Sequence, residues 1–150
     1  MKPTLLVVDD DEVVLNVVAA IAARQGFAVT TVKTGEAFLE RLAAADPSAL
    51  ILDIVLPGMD GVEILKVLRD RGCRKPLLLM SGYSDIYLRM AASLARGLDL
   101  PLVDTVEKPI DPHRLADAVS RLLHAALAAG NAAAGAGTSG RGKGDGRRDG

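Results

Sequence analysis

Polar residues able to handle phosphate stand at the ends of four apolar segments of the chain. Asp9 and Asp10 follow the first segment, Asp53 follows the third, Ser81 follows the fourth, and Lys108 comes just after the fifth. Carboxylates that converge from neighbouring segments repel one another unless a cation lies between them. An all-oxygen cluster with few protein ligands suits Mg²⁺, which keeps several waters and can hold a phosphate oxygen. The spacing therefore predicts a Mg²⁺ site.

The same groups are those needed to form an aspartyl phosphate. Asp53 is the predicted nucleophile, because it stands alone at the end of its segment. Mg²⁺ and Lys108 would neutralise the phosphoryl oxygens, and the Ser81 hydroxyl would form a hydrogen bond to a third oxygen. Asp10 is then the predicted direct metal ligand, and Asp9 would help directly or through water.

Short apolar runs alternate with amphipathic stretches along the chain. The predicted strands are 5–8, 28–32, 49–52, 76–80 and 102–106. The predicted helices are 12–25, 35–45, 60–71, 85–97 and 112–128. Continuously apolar strands that alternate with helices are typical of an α/β fold, a doubly wound parallel sheet covered on both faces. In such folds the site lies at the carboxyl ends of the strands, where the polar residues stand.

Composition indicates one domain followed by a tail. The chain has 150 residues, of which 49% are hydrophobic and 25% charged, with a single cysteine. This size needs no disulfide or structural metal, and one cysteine fits a reducing, cytoplasmic setting. The first apolar run stops at Asp9, too early for a signal peptide or membrane span. Residues 1–129 form the predicted domain, and residues 130–150, which hold 8 of the 15 glycines, a predicted disordered tail.

Four segments of the chain resemble the motifs of a known family. They are Leu5–Asp11, Leu52–Gly61, Met80–Gly82 and Glu107–Pro109. Together they are similar, in family order, to the receiver domain of bacterial two-component response regulators. The resemblance covers about residues 4–128. It implies a CheY-like, flavodoxin-like (βα)5 fold with the strand order 2-1-3-4-5.

The resemblance also implies a role for individual residues. The implied roles are phosphoacceptor for Asp53, Mg²⁺-binding acidic pair for Asp9 and Asp10, metal-binding backbone carbonyl for Val55, switch hydroxyl for Ser81, and phosphate-binding lysine for Lys108. Pro109 would follow a cis peptide bond. Thr105 is a departure, because many receivers have an aromatic residue at that position, which turns inward as the switch hydroxyl moves.

The function implied by the resemblance is that of a stand-alone receiver that signals through protein–protein contact. A histidine kinase, a histidine phosphotransfer protein or a small phosphodonor would phosphorylate Asp53. The chain would catalyse only its own phosphoryl transfer and dephosphorylation, with no DNA-binding domain and no membrane contact. Two other classes use the same residues: a phosphorylation-independent adaptor or phosphate sink, and a phosphatase like the haloacid dehalogenases. The phosphatase needs a second acid where this chain has Val55.

Overall fold

Strands and helices alternate along the whole described chain. The computed structural model describes residues 2–82 and 84–149, and side chains as far as residue 130. The strands are β1 (Thr4–Val8), β2 (Ala28–Val32), β3 (Ala49–Asp53), β4 (Leu77–Ser81) and β5 (Leu102–Glu107). The helices are α1 (Glu12–Gln25), α2 (Gly35–Ala45), α3 (Gly61–Asp70), α4 (Asp85–Gly97) and α5 (Pro112–Asp149). The predicted strands and the first four predicted helices match within one residue at each end.

The last helix is longer than the sequence pattern predicts. Its helical backbone continues beyond residue 128 to Asp149. The side chains of 131–149 and all of Gly150 lie outside the described part of the structure. The predicted disordered tail, residues 130–150, falls almost entirely on this part and stays a prediction. None of the helices in the described part of the chain combines the length and apolarity that a membrane crossing requires.

The five strands form one parallel sheet in the order β2-β1-β3-β4-β5, which confirms the predicted doubly wound fold. One apolar cluster joins the sheet to α1 and α5, and a second joins it to α2, α3 and α4. Helices on both faces explain why β3 and β4 are buried along their whole length. The register places Val8 beside Leu52, Asp53 beside Met80, and Ser81 beside Glu107. The polar strand ends are therefore level with one another.

The buried face of α1 differs from the one that the sequence pattern predicts. The spacing of apolar residues in α1 predicts a buried stripe of Val13, Val14, Val17, Val18 and Ile21, but Val13 is 70% exposed. Val18 is fully buried as predicted, Leu15 and Ala22 are buried beside it, and the other three predicted positions are partly buried. Spacings of three and four residues place one side chain above another, and this puts Val13 well away from the face that begins at Leu15.

Side-chain caps start the helices close to the sheet edge where the polar residues lie. The carboxylates of Asp11 and Asp60 accept hydrogen bonds from the backbone of α1 and α3, and the Ser84 hydroxyl accepts one from α4. Each cap satisfies a backbone N–H that the helix leaves unpaired. Their positions fix where the loops after β1, β3 and β4 end. The Lys108–Pro109 peptide bond is cis, as the resemblance implies.

Gly61 allows α3 to start directly against the strand end that carries Asp53. Its N–H donates a hydrogen bond of 2.9 Å to the Ile54 carbonyl. A Cβ at position 61 would lie 2.4 Å from the Ile54 Cα, closer than two carbon atoms can approach. Ile54 is itself fully buried, and its backbone follows Asp53. Any side chain at position 61 would push the two segments apart.

We therefore expect Gly61→Ala to destabilise the protein by about 1 to 3 kcal/mol, as overpacking does in other well-packed interiors. Urea unfolding monitored by circular dichroism measures the change. Gly97→Ala is the matched control, because a Cβ at Gly97 meets nothing within 4 Å. An equal, small effect of both substitutions would contradict the close approach at Ile54.

Candidate functional site

The sheet brings four of the predicted site residues to one edge. Asp9 follows β1, Asp53 ends β3, Ser81 ends β4, and Lys108 follows β5. The backbone continues strand pairing to this edge, since the Lys108 N–H donates a 2.8 Å hydrogen bond to the Ser81 carbonyl. Asp9, Asp53 and Ser81 are the three polar residues of the described chain that are buried. Buried polar residues collected at one edge mark the candidate site.

Asp9 is held by one hydrogen bond and one ion pair. Its Oδ1 accepts a 2.9 Å hydrogen bond from the Asp11 N–H, a contact that the sequence did not predict. Its Oδ2 lies 2.6 Å from Lys108 Nζ. That oxygen is buried and accepts no hydrogen bond of regular geometry from the described residues. The Lys108 ammonium is thus the charged partner of this buried oxygen among the described residues.

Asp53 is a buried carboxylate whose two oxygens have different partners. Oδ1 accepts a 3.0 Å hydrogen bond from the Val55 N–H, and Oδ2 accepts one of 3.0 Å from Lys108 Nζ. Burial raises the pKa of Asp53 to about 6, and the charge of Asp9 adds to the rise, against the hydrogen bonds from Val55 and Lys108. The site thus holds a carboxylate that costs free energy to ionise.

Lys108 connects the two carboxylates. Its side chain is 18% exposed, and its ammonium contacts Asp9 at 2.6 Å and Asp53 at 3.0 Å. Burial by itself would lower the pKa of Lys108, but its contacts with Asp9 and Asp53 raise it above the ordinary value. The lysine therefore stays charged and gives the site one fixed positive charge.

The structure groups the predicted metal ligands. Carboxylate oxygens of Asp9, Asp10 and Asp53 lie within 4.8 Å of one another, and Asp10 is exposed while the other two are buried. Three carboxylates hold more negative charge than one lysine balances, and oxygen donors suit Mg²⁺. The residues present therefore fit a Mg²⁺ ion. The Val55 N–H donates a hydrogen bond to Asp53, a member of this cluster. The predicted contact of the Val55 carbonyl with the metal stays a prediction.

A second charged cluster lies on the β5 side and was not predicted from the sequence. Arg114 on α5 donates two 3.0 Å hydrogen bonds to the Asp104 carboxylate and one of 2.7 Å to the Thr105 carbonyl. Arg121 pairs with the same carboxylate. Burial alone would raise the pKa of Asp104, but these arginines lower it to about 2. The available signal was an acid inside an apolar strand, followed by two arginines seven residues apart, a spacing that places both on one face of a helix.

Gly82 is the other residue that sequence reasoning left without a role. It lies in the Met80–Gly82 segment and adjoins the methylene carbons of Lys108. The two histidines, in contrast, are exposed on α5, where the sequence offered no metal spacing for them.

Comparisons with known proteins identify the family of this domain. A family model described as the response regulator receiver domain matches residues 5–120. The transcriptional regulatory protein FixJ of Bradyrhizobium diazoefficiens is 32% identical over 114 residues, which are 76% of this chain and 53% of FixJ. The alkaline phosphatase synthesis transcriptional regulatory protein PhoP of Bacillus subtilis is 29% identical over 123 residues, 82% of this chain and 49% of PhoP. This chain thus spans about half the length of these curated relatives.

A solved structure shows the same architecture. The response regulator DrrB of Thermotoga maritima, an OmpR/PhoB homolog, superposes with a TM-score of 0.69 at 29% sequence identity. The superposition covers 83% of this chain and 54% of DrrB.

The pKa of Asp53 leads to a prediction about stability and pH. Because the folded-state pKa of about 6 lies above the ordinary 3.8, the folded protein binds more protons than the unfolded chain between these values. Asp53 therefore does not oppose folding at pH 4. As the pH rises from 4 through 6, its ionisation in the folded protein lowers the free energy of unfolding. Without Mg²⁺, Asp53→Asn should be more stable than wild type by about 1 to 3 kcal/mol at neutral pH, and equal to it near pH 4.

Urea unfolding of both proteins in the presence of a chelator, across this pH range, measures the difference. Asp70→Asn serves as the control, since the Asp70 side chain is exposed and pairs only with Arg69 among the described residues. A less stable Asp53→Asn variant at neutral pH would show that ionised Asp53 stabilises the metal-free fold.

Proposed function

The chain belongs to the response regulator receiver domain family, and we propose that it is a phosphoacceptor of a two-component phosphorelay, modified on Asp53. The observation that carries this proposal is the arrangement of Lys108, whose ammonium lies between the buried carboxylates of Asp9 and Asp53. A structural ion pair needs one acid and one base. Here two acids share one lysine beside an exposed third acid, which leaves negative charge for a metal ion to balance.

The proposed reaction is a transfer of a phosphoryl group from a histidine of a kinase or phosphotransfer protein. A carboxylate oxygen of Asp53 forms the new O–P bond while the N–P bond of the phosphohistidine breaks. The electron pair of that bond returns to the imidazole nitrogen, so the donor leaves as a histidine. Asp53 must be ionised to attack, and its cost of ionisation in the buried site is relieved when charge in the site is balanced.

The other residues of the site stabilise the product. Lys108 is already charged and lies 3.0 Å from Asp53 Oδ2. Its ammonium would pair with a phosphoryl oxygen once the negative charge of the carboxylate has passed to the phosphoryl group. Ser81 lies buried at the neighbouring strand end, where its hydroxyl would donate to a second oxygen. Asp9, Asp10, Asp53 and the Val55 carbonyl would hold Mg²⁺, which when bound neutralises the charge of the phosphoryl oxygens. The Val55 N–H bond fixes the orientation of Asp53.

The consequence of phosphorylation would be a shift in a pre-existing equilibrium of the strand-end loops. The added charge is stabilised only where Lys108 and Ser81 meet it, so the loops after β4 and β5 move to the arrangement that favours this contact. Altered affinity for a protein partner follows from that change. We propose a histidine kinase as the upstream partner and protein contact as the output. Among the curated relatives, FixJ and PhoP are transcriptional regulatory proteins, and the segments aligned with this chain are about half of their length.

Incubation with Mg²⁺ and acetyl phosphate should add the mass of one phosphoryl group to the intact protein. Intact-mass spectrometry measures the labelling, which Asp53→Ala and the omission of Mg²⁺ should each abolish. Asp70→Ala, which removes an exposed carboxylate elsewhere, should be labelled like wild type. Labelling of Asp53→Ala would reassign the phosphoacceptor. Failure of the wild type to label or to bind beryllofluoride would favour an adaptor, and turnover of excess phosphomonoester would favour a phosphatase.

Removal of the exposed acid should weaken metal binding without harming the fold. Asp10→Ala takes one charged ligand from the cluster, and we expect an affinity for Mg²⁺ that is about tenfold lower, because ligand charge sets the affinity of such sites. Titration calorimetry measures the affinity. Glu12→Ala is the matched control, since Glu12 is an exposed acid nearby on α1 that pairs with Lys33. Equal losses in the two variants would indicate a general charge effect instead of a ligand.

A further inference from the structure

Lys108 reaches the site along a path that passes close to Gly82. The backbone bond between the Lys108 N–H and the Ser81 carbonyl brings the end of β5 beside the residue that follows β4. A Cβ built on Gly82 would lie 3.0 Å from Lys108 Cβ, 3.2 Å from Cδ and 3.6 Å from Cγ. Three successive carbons of the lysine therefore lie against a position without a side chain.

The need for glycine at this position is one of space, not of backbone conformation. The glycines with positive φ in the described chain are Gly26, Gly58 and Gly72, so the backbone of Gly82 is one that other residues adopt. Gly82 is also exposed, so no buried core restricts its size. The three atoms nearest to an added Cβ all belong to the lysine stem.

The contact between an added methyl group at position 82 and Lys108 Cβ matters more than a contact with the far end of the lysine side chain. A flexible tip can rotate away, but Lys108 Cβ is fixed to a backbone that is hydrogen-bonded to β4. An added methyl group would therefore shift the first carbons of Lys108 by a few tenths of an ångström, and the ammonium with them. The ammonium contacts Asp9 and Asp53 at 2.6 and 3.0 Å, distances that leave little tolerance.

We infer that Gly82 is a positioning residue for Lys108: its missing side chain lets the lysine ammonium reach Asp9 and Asp53 together. This inference rests on the proposed function of Asp53 for its effect on phosphorylation. Gly82 has no side chain that could bind the phosphoryl group or the metal, and the proposed effect of a substitution acts through the direction of the lysine side chain.

The labelling rate at saturating acetyl phosphate and Mg²⁺ tests the inference in four proteins: wild type, Gly82→Ala, Lys108→Ala and the double variant. Gly82→Ala should be slower than wild type by on the order of tenfold, since a misplacement of 1 Å can cost a hundredfold. The double variant should be as slow as Lys108→Ala and no slower, because the methyl group has no lysine left to displace. Additive losses, or a Gly82→Ala rate equal to wild type, would overturn the inference.

Gly97→Ala is the matched control, an exposed glycine whose added Cβ meets nothing within 4 Å. Its labelling rate should equal that of wild type, and thermal unfolding should show that Gly82→Ala remains folded. A crystal structure of Gly82→Ala gives a second readout that does not depend on labelling. Lys108 Nζ should lie farther from Asp53 Oδ2 than the present 3.0 Å, and an unmoved ammonium would overturn the inference. If the wild type is not labelled, the proposed function fails, and the crystal structure still decides the role of Gly82.

Discussion

The ammonium of Lys108 between the carboxylates of Asp9 and Asp53 is the interaction on which the site depends. Two buried carboxylates this close would repel each other, and one of them would take up a proton without a cation. One lysine offsets part of this repulsion, and Asp53 still has a pKa of about 6. The site is therefore held together but remains short of positive charge. That imbalance is the physical reason why it suits both a divalent cation and the transfer of charge to a phosphoryl group.

The rest of the fold places these three side chains. Parallel pairing sets the ends of β1, β3, β4 and β5 level with one another, and apolar clusters on both faces keep the strands in register. A slip of one residue would turn each strand-end side chain to the opposite face of the sheet. Two glycines then allow close approaches that side chains would prevent. Gly61 lets α3 begin against Ile54, and Gly82 leaves room for the lysine stem.

The β5 side of the molecule departs from the pattern of many receivers. Thr105 replaces the usual aromatic residue, and its carbonyl accepts a hydrogen bond from Arg114, which also pairs with Asp104. Side chain and backbone of β5 are thus tied to the start of α5 by one guanidinium group. β5 is also an outermost strand of the sheet, and within the described residues its strand partner is β4. The hydrogen bonds from Arg114 therefore connect this outermost strand to α5.

The sequence by itself determined the order of the elements and the bounds of the strands and of the first four helices, and it predicted the residues of the candidate site. These follow from local information: apolar runs bounded by Asp9, Asp53 and Ser81, capping residues such as Asp60, and the periods of helix and strand. Local information failed for Val13, because the buried face of α1 depends on how the helix lies on the sheet.

Only the tertiary structure decided the distances and charges within the site. Lys108 and Asp53 are 55 residues apart, and no local pattern states which carboxylate oxygen the ammonium meets. The pKa of Asp53 is raised by its burial and by the nearby charge of Asp9. Both the burial and the proximity of the two carboxylates arise only when the strands pair. The contact of Gly82 with Lys108 and the bonds of Arg114 to Asp104 and Thr105 likewise join separate elements. Residue types and their spacing indicate which secondary structure and which chemistry a segment can support. The energies of interaction between charged groups depend on the distances between them, and only the packing of the folded chain sets those distances.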